Sequence, residues 1–238
     1  MKAEEFVKIL NSVKKIVFSI NDVTKILYKD SNYCKVFLNR LEKRKLIVKL
    51  ERNKYVLPSQ DPLLVASSII FPCYISFISA YYFYNITTQI PKTIFVFSKK
   101  QRKDLLYEGV RIKFVKFSPQ RFFGYKRENL NGKTIFIAEI EKAILDSIFL
   151  PQYTSIHETW LALKEGEIKE ERIIEYTKRM NSNALAKRLG YLLELNGIDI
   201  YSKIKDMIDK NYVKLNQFKA RKGEKNKKWK ILINEVLE

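Results

Sequence analysis

Thirty consecutive positions, from Pro62 to Pro91, carry no charge in a chain that otherwise holds 45 Lys and Arg and 26 Asp and Glu. The heart of that run, residues 63–86, reads LLVASSIIFPCYISFISAYYFYNI. Such a stretch can be a membrane anchor, a hydrophobic docking surface or the interior of a folded domain. Pro72 falls in its middle and would break a spanning helix. Ser67, Ser68, Ser76, Ser79 and Asn85 thin its hydrophobicity below that of a clean span. The expectation is therefore burial, with no membrane partner. DPLLVASSI reads as a short helix closed before Pro72, and SFISAYYFYNI as a second helix with Ser76 as its cap. Tyr81, Tyr82 and Tyr84 could stack on bases, but at helical spacing in an uncharged segment they read as core.

Outside that run the chain is strongly basic, with a formal charge of +19. Residues 1–60 carry 14 Lys and Arg against 6 Asp and Glu, and residues 201–238 carry 11 against 5, whereas the middle is nearly balanced. A field of this size favours polyanionic partners, nucleic acid or an anionic membrane face, though Lys richness also serves solubility. The single His157 precludes a multi-histidine metal site and argues against a Ser-His-Asp or Cys-His engine. Cys34 and Cys73 lack any partner motif and read as buried thiols of a reducing cytoplasm. The N-terminus lacks the apolar core and cleavage site of a signal peptide. These features imply a cytoplasmic protein with no metal or cofactor.

The first 60 residues have a definite rhythm. AEEFVKILNSV places Phe6, Ile9, Leu10 and Val13 at helical spacing, and INDVTKILY places Ile20, Val23, Ile26 and Leu27 on one face. Ile16-Val17-Phe18 links the two. SNYCKVFLNRLEKRKLI makes a third helix, capped by Asp30 or Ser31, with Phe37, Leu38 and Leu41 inward. VKLERNKYVLP alternates about a turn at Arg52-Asn53, as a small hairpin does. Three short helices followed by a hairpin is the order of a winged helix-turn-helix. In that fold the third helix enters the major groove and the wing lies along the backbone. On the third helix Asn32, Lys35, Asn39 and Lys43 share one stripe with Arg40 beside it, and these types can pair with base edges. Lys49, Arg52 and Lys54 of the wing would neutralise phosphates, with Asn53 at its turn. The alternative is an amphipathic helix whose basic face is only solvated.

Leu57-Pro58-Ser59-Gln60-Asp61-Pro62 is the best boundary, dividing a winged-helix domain (1–60) from a larger domain (61–238). TIFVF (93–97), RIKFVKF (111–117) and TIFIA (134–138) read as strands. EIEKAILDSIF and the segment 155–196, interrupted near Glu165-Gly166, read as helices, so the class is α+β with a small sheet. A metal-dependent nuclease would need a strand ending in carboxylate-x-lysine. Here Glu139-Ile140-Glu141-Lys142 sets the lysine one position late. No catalytic residue is assigned, and Glu141, Lys142 and Asp146 read as helix-end and surface charges. The tail has seven Lys and Arg between Lys219 and Lys230 and then KWKILI, which alternates like an edge strand.

Two runs carry a resemblance: YISFISA followed by TTQIP (74–80 and 87–91), and IAEIEKAILD (137–146). In their order, across roughly residues 30 to 200 and extending to Trp229 and Asn234, the chain resembles the AbiEi-type antitoxins of type IV toxin–antitoxin (abortive infection) systems. The resemblance implies a winged-helix transcriptional repressor that binds operator repeats in double-stranded DNA at its own promoter. It also implies a C-terminal domain that counteracts a nucleotidyltransferase-like toxin without a stable complex. That family writes its wing with Arg-Gly before an aromatic; this chain has Arg52-Asn53-Lys54-Tyr55. A winged-helix regulator without a toxin, its C-terminal domain binding a ligand or partner, stands as the alternative, with a metal-dependent nucleic-acid enzyme behind it.

Overall fold

A computed structural model describes residues 2–13 and 15–237. The chain opens with helix α1 (Ala3–Ser12), strand β1 (Val17–Phe18), helices α2 (Ile20–Leu27) and α3 (Ser31–Lys43), and strands β2 (Val48–Glu51) and β3 (Lys54–Val56). Ser19 and Asp22 form a reciprocal capping box at the start of α2. The segment expected as a mere link, Val17-Phe18, pairs antiparallel with β3, so the wing sheet has the order β1-β3-β2. Under it Phe6 meets Phe18 and Phe37 edge-on, and Phe18 stacks on Tyr55. Val23, Cys34, Leu38, Leu41 and Ile47 complete this core. Val13, read at helical spacing with Phe6, Ile9 and Leu10, lies past the end of α1 and is exposed.

The elements that follow are α4 (Pro62–Ser68), β4 (Cys73–Ile75), α5 (Ile78–Phe83), β5 (Thr93–Ser98), β6 (Leu105–Tyr107), β7 (Val110–Lys116), β8 (Tyr125–Leu130) and β9 (Lys133–Ala138). Then come α6 (Ile140–Phe149), α7 (Ile156–Glu165), α8 (Glu170–Met180), α9 (Asn183–Leu195) and α10 (Tyr201–Ile204), and three short strands, β10 (Val213–Lys214), β11 (Glu224–Asn226) and β12 (Ile231–Ile233). The class is α+β. Its larger sheet has six strands in the order β6-β7-β5-β4-β9-β8, with β5 and β7 parallel. Two-residue turns with left-handed φ, Glu108-Gly109 and Asn131-Gly132, join β6 to β7 and β8 to β9.

The chain forms two compact units that do not follow its order. The first gathers Met1–Ile75, Lys92–Lys116 and Arg127–Phe136; the second gathers Ser76–Pro91, Phe117–Lys126 and Ile137–Glu238. The expected boundary at 57–62 lies inside the first unit. The uncharged run is divided among α4, β4 and α5, and Leu63–Ser67, Cys73–Ile75 and Ser79–Tyr81 are buried. No helix among the described residues is long and apolar enough to cross a membrane. Ser76 does not cap α5; Phe77 holds that position at a φ of 57°. The Ser76 hydroxyl instead donates to Asp146 at 2.8 Å.

That bond leads to the largest departure from expectation. Glu141, Lys142 and Asp146 are not surface charges: α6 is buried from Glu141 to Ile148. One turn apart, Lys142 and Asp146 form an ion pair with no exposure on either side. The Lys142 ammonium also lies over the rings of Phe117 (4.8 Å) and Phe123 (5.1 Å). Glu141 accepts the Lys169 N–H at 2.9 Å, ahead of α8. Loss of water pushes the Lys142 ammonium down, and Asp146 opposes it. The end of the chain is also more interior than expected. KWKILI contributes the central strand β12 of a sheet ordered β10-β12-β11, not an edge. Trp229 is fully buried against Gly190 of α9, where an added methyl would collide with its ring.

Asp146→Ala would leave a buried ammonium without its counter-charge. The expected loss is about 3–5 kcal/mol of unfolding free energy. Replacing both Lys142 and Asp146 by apolar residues of similar volume should restore most of it, as read by urea unfolding.

Candidate nucleic-acid interface

The geometry of α3 begins with its cap. The Asp30 carboxylate accepts N–H bonds from Asn32 (2.8 Å) and Tyr33 (3.0 Å), which hold its carboxyl below the usual range. From that start, 13 residues of helix turn Cys34, Leu38 and Leu41 inward. Burial pushes the Cys34 thiol up, so it stays protonated beneath the helix. The opposite side exposes Asn32, Lys35, Asn39, Arg40 and Lys43, every α3 residue expected at a DNA surface.

The wing turn is held by a bond that sequence reasoning did not anticipate. Asn53 adopts a φ of 61°, the left-handed conformation that Asn tolerates. Its side-chain Oδ1 accepts the backbone N–H of Ile20 at 2.8 Å. That N–H belongs to the first residue of α2 and has no partner within the helix. A single side chain thus ties the tip of the wing to α2. Nearby, burial pushes the Asp22 carboxyl up, but the Lys15 ammonium at 2.7 Å and the Ser19 N–H and hydroxyl outweigh it.

These constraints bring Lys35 and Asn39 of α3 and Lys49, Arg52 and Asn53 of the wing to one open cleft of about 430 Å³. Ile20, Asn21, Ser31 and Tyr55 complete its lining, and among the described residues no carboxylate lines it. Asn32, Arg40 and Lys43 are exposed on α3 but do not line the cleft. Lys54 is turned elsewhere: its ammonium lies 3.0 Å from Glu51 and donates to the Ile69 carbonyl at 2.5 Å. A phosphate would have to compete with both.

Asn21 and Ser31 were missed because each opens its helix beside the cap, where polar residues have a local structural use. Tyr33 and Val36 were missed as well, and both are about half exposed on α3. Val36 carried a signal, since an apolar residue beside Lys35 falls off the Cys34, Leu38 and Leu41 face. An exposed valine on a polar helix offers an apolar surface of the kind a thymine methyl accepts.

Asn53→Ala removes the bond to Ile20 and forces a left-handed Ala. The expected loss is about 2 kcal/mol, against about 1 kcal/mol for Asn53→Gly, which loses only the bond. Thermal unfolding of the two variants against the parent separates these contributions.

The fold has a counterpart among solved structures. The crystal structure of the RV2827C protein from Mycobacterium tuberculosis matches with a TM-score of 0.68, covering 97% of this chain and 90% of that one at 13% identity. At that identity the likeness shows the fold alone. No family model matches the sequence, and no curated protein matches it.

Proposed function

We propose that the chain is a sequence-specific binder of double-stranded DNA that represses transcription from its own promoter. One observation carries the reading: Lys35 and Asn39 of α3 converge with Lys49 and Arg52 of the wing on a single open cleft. Asn39 offers the paired donor and acceptor that match an adenine edge in the major groove. Arg40 and Lys43 extend the same exposed face, and Lys49 and Arg52 meet the phosphates that flank the groove. The net charge of +19 supports fast, salt-sensitive association with such a polyanion. Lys54, engaged by Glu51 and Ile69, is left out of this surface.

The resemblance to AbiEi-type antitoxins supports a second part of the proposal. The repressor is cytoplasmic and not an enzyme, and it counteracts a nucleotidyltransferase-like toxin without holding it in a stable complex. The IAEIEKAILD run that carries the resemblance has an interior role here: Lys142 and Asp146 form the buried pair of α6. Antitoxin action is therefore assigned to surfaces that this run supports, not to its charges.

Binding of the full chain to its own upstream DNA tests the first part. Asn39→Ala combined with Arg40→Ala should weaken specific binding by about 1–3 kcal/mol for each base edge that is no longer read. Arg52→Ala should lower the slope of log affinity against log salt by about one, with base preference unchanged. Operator affinity unchanged in the Asn39 and Arg40 variant contradicts the reading. For the second part, co-expression with the product of a neighbouring nucleotidyltransferase-like gene should restore growth. Continued toxicity in the presence of folded protein contradicts it.

A further inference from the structure

Next to the wing, β5 ends at Ser98 and the chain runs through Lys99-Lys100-Gln101-Arg102-Lys103 before β6. Four of these five side chains are cationic, Asp104 follows as the loop's carboxylate, and Lys99, Lys100, Lys103 and Asp104 are exposed. The loop is not a loose solvated tether. The Ser98 hydroxyl donates to the Lys100 carbonyl at 2.5 Å, which turns the loop at its start. The Arg102 guanidinium lies 5.2 Å from the Phe114 ring and reaches Glu51 at 2.5 Å. Glu51 immediately precedes the wing turn Arg52-Asn53, and Lys54 on the far side of that turn binds the same carboxylate.

Two consequences follow from this geometry. Glu51, the acidic residue of the wing, is neutralised internally, and against the single exposed carboxylate of the loop, Asp104, the net charge of wing and loop is positive. The loop and the wing also form one surface. Lys99 and Lys100 line a trough of about 680 Å³ together with Phe71 and Pro72, beside Lys54 and Arg102, which Glu51 holds. Phe71 is 78% exposed, and among the described residues no carboxylate lines the trough. A basic rim over an apolar wall suits a sugar–phosphate strand, whose phosphates meet the cations while its sugars lie against the ring.

We propose that this trough is a second seat for the phosphate backbone, which carries a duplex held by α3 and the wing onward to the Lys99–Lys103 loop. The inference rests on the DNA-binding reading above and enlarges its footprint. Phosphates recur along each strand at about 3.4 Å of helix rise, and the Arg102–Glu51 pair joins the loop to the wing one residue from Arg52.

The test replaces Lys99 and Lys100, the two loop lysines that line the trough, together by Ala in the full chain. Hydroxyl-radical footprinting and salt-dependent affinity are then measured on the chain's upstream DNA. The expected variant melts like the parent, retains base preference, loses protection only on the wing-side flank, and shows a salt slope shallower by about 1.8. Arg at both positions should restore slope and flank. A variant whose slope and footprint equal the parent's overturns the proposal while leaving the α3 assignment intact. A variant that loses only its binding to phosphatidylserine vesicles assigns the trough to an anionic membrane face and overturns it too. A parent with no specific footprint overturns both readings.

Discussion

A lysine and an aspartate without access to water meet one turn apart on α6, and the second unit is arranged around them. Neither Lys142 nor Asp146 could remain charged in an apolar interior alone; each makes the other tolerable. The pair draws in its surroundings. Ser76 donates to Asp146, and the rings of Phe117 and Phe123 face the ammonium. Tyr81 donates to Ser147 beside the pair at 2.9 Å. Gly124 belongs to the same arrangement. Its φ is 68°, and a side chain there would press on Lys142 and Tyr176. The pair thus joins α6 to the 117–126 segment and to Ser76, just ahead of α5.

In the first unit the corresponding task falls to the wing. A three-residue and a four-residue strand are too short to hold a hairpin rigid alone. β1 adds a third strand, Asn53 ties the turn to α2, and Glu51 joins it to Lys54 and Arg102. Lys49 and Arg52 are thereby set opposite Lys35 and Asn39 at a defined spacing. On the proposed reading, a surface that matches the repeat of a double helix needs such rigidity more than it needs added charge.

The winged helix was legible because its signals are local. Caps at Ser19 and Asp30, apolar residues at helical spacing and a turn at Arg52-Asn53 all report on their own neighbourhoods. What was illegible depends on partners distant in the chain. Val17-Phe18 becomes a strand only because β3 is there to pair with it. Cys73–Ile75 lies in an apolar run whose periodicity does not separate strand from helix. The strand β8 carries charges typical of an edge and β6 has only three residues, though Asn131-Gly132 was a hairpin signal within reach. Lys142 and Asp146 have the spacing of an ordinary surface pair, and nothing local distinguishes burial from exposure. Of the candidate site, the α3 residues read from the sequence are all exposed, but only Lys35 and Asn39 of them line the cleft, and Tyr33 and Val36 were missed. The role of Asn53 and the capture of Lys54 by the Ile69 carbonyl were hidden, since their partners lie 33 and 15 residues away.

The central claim is that α3 and the wing form one DNA-binding surface. Lysine acetylation footprinting, read by mass spectrometry with and without the upstream duplex, tests it most directly. The account predicts that Lys35, Lys43 and Lys49 become shielded by DNA while Lys54, already engaged, changes little. Equal labelling of Lys35, Lys43 and Lys49 in the free and DNA-bound protein would contradict it.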